Sequence, residues 1–132
     1  MHNQIIATIA AALAAWIFGA IWYGVLGKTW QAAQGLDPEQ CKGQKMPLVP
    51  MATSFLSELL MAFIFARLLT ALNVLGWQDG AVIGLFIGVG FMATSTLVNN
   101  MFQKRQLMLS VIDGVHWIGV AVIEGAVLAT LL

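Results

Sequence analysis

The chain has 132 residues, of which 60% are hydrophobic and 9% charged, with six basic and six acidic side chains and a formal net charge of zero. Soluble domains run at roughly 45–50% apolar and about 25% charged, so this composition excludes a water-soluble globule, a disordered tail and a nucleic-acid binder, which needs a basic footprint. The mean hydropathy of +0.86 and the lone cysteine, Cys41, exclude a disulfide scaffold and describe one small integral membrane domain over residues 1–132.

A membrane-crossing helix needs ~20 mostly apolar residues, and four segments qualify: about 4–26, 50–75, 80–99 and 107–132. The expectation is an all-α, four-helix transmembrane bundle. The first segment has no Lys or Arg before Lys28 and a long apolar run, so it reads as a retained helix and not as a cleaved signal peptide. It sets Ala7, Ala11, Ala15 and Gly19 at four-residue spacing. Such rows of small residues let helix backbones approach closely in lipid.

The connection over 27–49 is long for a compact bundle. Its Asp37-Pro38-Glu39-Gln40 run reads as N-cap, proline at N1 and Gln at N3, predicting a short amphipathic helix that Gly43 would end. The stretch from Lys28 to Ala33 reads equally as a segment lying on the membrane surface or as a solvated loop. The third segment carries another small row, Gly80, Gly84 and Gly88. The two rows predict close packing, either inside the bundle or between copies.

Lysine and arginine placement orients the chain. Lys28, Lys42 and Lys45 lie in the first connection and Lys104 and Arg105 in the third, while the second connection and both termini carry none. Both basic loops are expected in the cytoplasm and both termini outside. Trp22, Tyr23 and Trp30 are expected at the inner headgroup level and Trp77 at the outer one.

Ionisable groups at membrane depth are costly and face a protein interior or a water-filled cavity. Five qualify: Glu58, Arg67, Asp113, His116 and Glu124. Counted from their helix starts at 1.5 Å per residue, Glu58, Asp113 and His116 lie roughly 9–14 Å below the cytoplasmic face, near Asn99 and Asn100. Asp113, His116 and Glu124 fall within about 80° of one another around the fourth helix. A polar cluster of Tyr23, Glu58, Asn99, Asn100, Asp113 and His116 is expected in the cytoplasmic half. It is read either as a packing network or as a group that carries a proton or cation. Arg67 and Glu124 match in depth, so they are expected either to form an ion pair or to leave Arg67 snorkelling outward. No metal-ligand spacing and no nucleophile–base motif is present, and no cofactor is expected.

Trp22-Tyr23-Gly24, preceded by Phe18-Gly19 and followed by Gly27-Lys28-x-Trp30, resembles the signature of the bacterial family known as domain of unknown function 1761 (DUF1761), small four-helix membrane proteins. Gly90-Phe91 through Asn99, Phe102, Arg105 and Ile112-Asp113-Gly114 is similar to its second half. The resemblance spans nearly the whole chain and implies a fold class but no activity. It points to Trp22, Tyr23, Gly24, Lys28, Trp30, Asn99, Arg105 and Asp113, and implies that His116 and Glu124 stand where aromatic and apolar residues are common. Asp113 with Asn99 then becomes the core of a site, and Lys28 and Arg105 become candidates for anionic lipid contact. The functional expectation is a structural or interaction bundle in the bacterial inner membrane. It would be a homodimer or higher homo-oligomer, or a companion of a larger membrane complex, bound to the lipid bilayer and to no nucleic acid. The alternatives are an oligomeric ion- or proton-coupled transporter or channel, and a membrane enzyme or cofactor binder.

Overall fold

The computed structural model describes residues 2–43 and 47–132. Its four long helices are α1 (His2–Ala33), α2 (Leu48–Ala71), α3 (Trp77–Phe102) and α4 (Leu107–Leu131), all long and apolar enough to cross a membrane. The architecture is the expected all-α transmembrane bundle. In the following, the end holding the 34–47 and 103–106 connections is termed the basic end, and the opposite one the terminal end. Lys45, counted among the basic-loop charges, lies outside the described residues.

The first helix corrects the sequence reading. It passes through Gly24 and Gly27 without a break and ends only at Gly35, whose φ of +81° suits a residue without a side chain. There the Leu36 and Gly35 N–H groups bond back to the Gln31 and Ala32 carbonyls, closing a Schellman motif. Lys28–Ala33 is thus neither a surface-lying segment nor a loop, but two further turns of α1. The Asp37–Gly43 stretch is also corrected. Asp37 accepts the Glu39 N–H at 3.0 Å, but the chain then forms successive turns and no α-helix. One cap cannot hold so short a run that no apolar partner covers. Schellman motifs also end α2 and α3, with Asn73 (φ 54°) and Lys104 (φ 57°) in the left-handed position, so the connections to α3 and α4 are tight.

The central element is α4. α1 and α2 pack on it and on each other, while α3 packs chiefly on α4. The glycine row explains that last contact. A Cβ built at Gly80 would stand 2.2 Å from the Gly125 carbonyl oxygen, and one at Gly84 would stand 2.2 Å from that of Ala121. A Cβ at Gly88 would meet the Ile118 Cα at 2.7 Å. Only hydrogen fits where these backbones touch, so the row is spent inside the bundle and is not free for a second copy. The alanine row is spent likewise. Ala7, Ala11 and Ala15 are fully buried, the first two in a core with Ala62, Phe65, Ala66, Leu69 and Leu128.

Midway along α3, Gly88–Ala93 widens into a π-helical segment, a one-turn expansion of the kind that often marks functional stretches. Thr94 and Thr96 return their hydroxyls to the Gly90 and Met92 carbonyls at 2.9 Å, and Ser95 does the same to Phe91. The polarity of these three side chains is therefore absorbed by their own helix.

Candidate functional site

Three aromatics recur at seven-residue spacing on α1: Trp16, Tyr23 and Trp30. Seven residues are nearly two full turns, so the three share one side of the helix, and that side faces protein. Tyr23 donates its hydroxyl to Asp113 Oδ1 at 2.6 Å, and Trp30 donates its indole N–H to the same oxygen at 3.1 Å. Trp22 reaches the Ile112 carbonyl at 3.1 Å, one residue before Asp113. The Tyr23 and Trp30 rings meet edge to face with centroids 5.4 Å apart. The carboxylate is thus held by two donors two turns apart on α1, in a wall of aromatic rings. The extension of α1 through Trp30 creates this clamp.

One turn deeper, His116 is buried and lies parallel to the Phe18 ring, 3° from coplanar at 6.0 Å between centroids, with Tyr23 at 4.9 Å and Trp117 at 4.7 Å. It has room because Gly19 faces it: a Cβ there would stand 2.9 Å from His116 Nε2. Gly119 likewise receives the edge of Phe18, with a built Cβ 2.5 Å from two ring carbons. His116 Nδ1 is enclosed without a hydrogen-bond partner.

Glu58 and Glu124 form a separate, deeper layer. Both are almost wholly enclosed, with 1% and 2% of their surface exposed. They lie at one depth on two helices that pack against each other. Glu58 was expected at the level of Asp113 because both lie early in their helices, but the helix starts are not level. Trp16 donates to the Met51 carbonyl at 3.1 Å and to Ser54 Oγ at 3.2 Å, whereas Tyr23 meets Asp113. Seven residues of α1 separate those contacts, about 10 Å at 1.5 Å each. α2 therefore begins deeper in the bundle than α4 and carries Glu58 away from Asp113 to the level of Glu124.

The other expected residues are distributed differently. Asn99 is exposed and takes no part in holding Asp113; Asn100 instead donates to Ser110 Oγ at 3.2 Å, closing the α3–α4 turn. Arg67 is exposed one turn from the terminal end of α2, while Glu124 is buried, and no ion pair joins them. Glu58 and Arg67 are nine residues apart and point to opposite faces, which is why one is enclosed and the other is not. Lys28 and Arg105 are exposed at the basic end, where Ala33–Gly35 and Gln103–Gln106 line an open hollow. Gly24 has no neighbour within 4 Å of a built Cβ. Trp22 and Trp30, expected at headgroup depth, turn to α4 and are half-buried, whereas Trp77 is 58% exposed. Among the described residues, no group of three His, Cys, Asp or Glu side chains has metal-site geometry.

Phe18 and Gly19 as seats for one another's partners, and the two indole N–H groups as carboxylate and carbonyl donors, are what sequence reasoning missed. The heptad spacing of Trp16, Tyr23 and Trp30 was the available signal, since aromatics meant for a headgroup belt have no reason to share one helix face over four turns.

Neither the curated proteins nor the solved structures provide a match to this chain. A sequence model of the family described as "Protein of unknown function (DUF1761)" matches residues 6–129. That match takes in the aromatic clamp, the glycine contacts and both buried carboxyls, and the chain belongs to this family.

Proposed function

We propose that the protein is a structural or interaction bundle of the bacterial inner membrane, working as a homo-oligomer or beside a larger membrane complex, with Asp113 as the pin of its basic end. The observation that carries this reading is the α3–α4 seam, in which Gly80 and Gly125 meet backbone to backbone. Helices packed at that distance leave no bore between them, and the Asp113 oxygen that could bind a ligand already accepts two hydrogen bonds from α1. Because both small rows are used inside the chain, a second copy would meet it through larger residues, such as exposed Phe86, Val89 and Phe91 on α3. The basic end is read as cytoplasmic, with both termini outside, from the five-to-zero Lys/Arg asymmetry.

A second reading, a proton- or cation-coupled carrier working as an oligomer, is favoured by the enclosed Glu58–Glu124 pair, since intramembrane carboxyls commonly mark ion paths. Glu58→Gln with Glu124→Gln in reconstituted liposomes separates the two. The structural reading expects altered stability or oligomer mass with no change in proton or cation flux. Loss of a measurable flux, with the fold and oligomer intact, would replace it with the carrier.

A further inference from the structure

We propose that Glu58 and Glu124 are a proton-binding site deep in the membrane span, the two carboxyl groups holding a proton between them. The site is built by two helices, α2 and α4, and each contributes one side chain that is at least 98% enclosed. Glu58 Oε2 and Glu124 Oε1 are each buried with no hydrogen-bond partner. A buried acceptor without a donor is expensive in an apolar surrounding, and a buried charge more so. Proteins therefore give such oxygens a donor, a cation or a proton.

Among the described residues neither oxygen has a donor and neither carboxyl a salt bridge: the hydroxyls one turn off in register, Thr8 on α1 and Ser54 on α2, go to the Gln4 and Met51 carbonyls, and Gln4 Nε2 lies two turns from this level. α1 offers His2 at one end and Tyr23 and Lys28 toward the other; Tyr23 is committed to Asp113 and Lys28 is exposed. By counting turns from Trp16, α1 presents fully buried Ala12 at this level. On α2, Arg67 lies on the opposite face and is exposed. On α3, the charged group is Asp79 in the first turn, exposed and of the wrong sign. On α4, Asp113 and His116 lie two to three turns away, within the aromatic clamp. Fully buried Ala62 and Leu128 stand one turn on along each helix. Two carboxylates enclosed at one depth in that interior would repel, because the low dielectric screens them poorly. A proton held between the two removes the repulsion and supplies the missing donor at once. A metal ion would need more oxygens than the two side chains bring. The site is independent of whether the protein moves protons across the bilayer, since binding a proton in place satisfies the same two oxygens.

The test is labelling of the full-length protein in lipid nanodiscs with dicyclohexylcarbodiimide, a lipid-soluble reagent that adds to protonated carboxyl groups. The acid proton passes to a carbodiimide nitrogen and the carboxyl oxygen bonds to the central carbon. The adduct then rearranges to a stable N-acylurea with no leaving group and no change of oxidation state. Peptide mapping at neutral pH is expected to find the adduct on Glu58 or Glu124, at least tenfold above any adduct on Glu39, Asp37 or Asp79. Infrared spectra of the unlabelled protein are expected to contain the carbonyl band of a protonated carboxylic acid. Glu58→Gln with Glu124→Gln, which keeps shape and lets the two amides pair, should remove that band. Absence of both adduct and band in the wild-type protein at neutral pH, with adducts gained only on acidification, overturns the proposal. So does protection from labelling by sodium at constant pH, which would assign the pair to a metal cation. Both wild-type readouts stand even if the double variant does not fold.

Discussion

At the scale of single residues, the best-defined chemistry in the molecule is the seat of Asp113. One carboxylate oxygen accepts a phenol at 2.6 Å and an indole at 3.1 Å, from two side chains spaced seven residues apart on a continuous helix. Hydrogen bonds between membrane helices are worth about 0.6 kcal/mol on average and up to about 1.7, whereas bonds to a charged group reach about 1.5–3 kcal/mol. Tyr23→Phe, which removes only the hydroxyl, is therefore expected to cost about 1–2 kcal/mol of stability, measured by reversible unfolding in mixed micelles. Trp30→Phe should cost less, because its bond is longer. The double variant should lose less than the two single losses added, because both donors serve one oxygen. Strict additivity would mean that the two donors do not share a partner in the membrane. Gly19 belongs to the same seat, since the smallness of this residue admits the His116 ring beside Tyr23.

At the scale of helices, glycine separates two roles that the sequence writes with the same letter. Gly80, Gly84 and Gly125 sit where a methyl group would strike a backbone carbonyl at 2.1–2.2 Å. Neither helix can yield there without moving as a whole. Gly24, Gly27 and Gly90 have nothing within 4 Å of a built Cβ. Alanine at Gly80 or Gly125 is expected to destabilise by about 3 kcal/mol or more, since overpacking of a rigid seam lies at the upper end of the usual 1–3 kcal/mol. Alanine at Gly24 or Gly27 should be neutral or slightly stabilising, because it improves helix propensity by up to about 1 kcal/mol without a clash. Thermal melts of the purified variants decide this. A Gly24→Ala protein as damaged as Gly80→Ala would show that the signature glycine meets a partner outside this chain.

At the scale of the whole molecule, α4 is the axis on which the other helices are hung, and α3 is attached mainly by its glycine seam. The outer faces of α2 and α3 carry exposed Leu56, Leu60, Phe63, Ile64, Phe86, Val89 and Phe91, a surface suited to lipid tails. The direction in which this body sits can be read from its lone thiol. Cys41 lies in the turn segment between Asp37 and Gly43 and is partly accessible. In spheroplasts, a membrane-impermeant maleimide is expected to leave Cys41 unlabelled until the cells are opened. Labelling of intact spheroplasts would put the basic end outside and reverse the topology drawn from the lysines.

What the sequence determined alone was whatever depends on composition and period. Four apolar runs of sufficient length make four spans, because in lipid a backbone must satisfy its own polar groups. The spacing of Asp113, His116 and Glu124 puts them on one stripe, because helical period is local. Their inward-turned stripe was legible for the same reason. The partners were not legible, because depth depends on where each helix begins relative to the others. α1 gains two turns past Gly27 and ends at Gly35, which brings Trp30 to Asp113. α2 starts deeper than α4, which carries Glu58 from the expected Asp113 cluster to the level of Glu124. The small rows announced close packing, and only the tertiary structure decided that the partners were Gly125, Ala121 and Ile118 of the same chain. Sequence period sets the face a residue occupies, but the axial offset between helices is set by loop length, capping and the fit of side chains against neighbouring backbones, and those are properties of the assembled bundle.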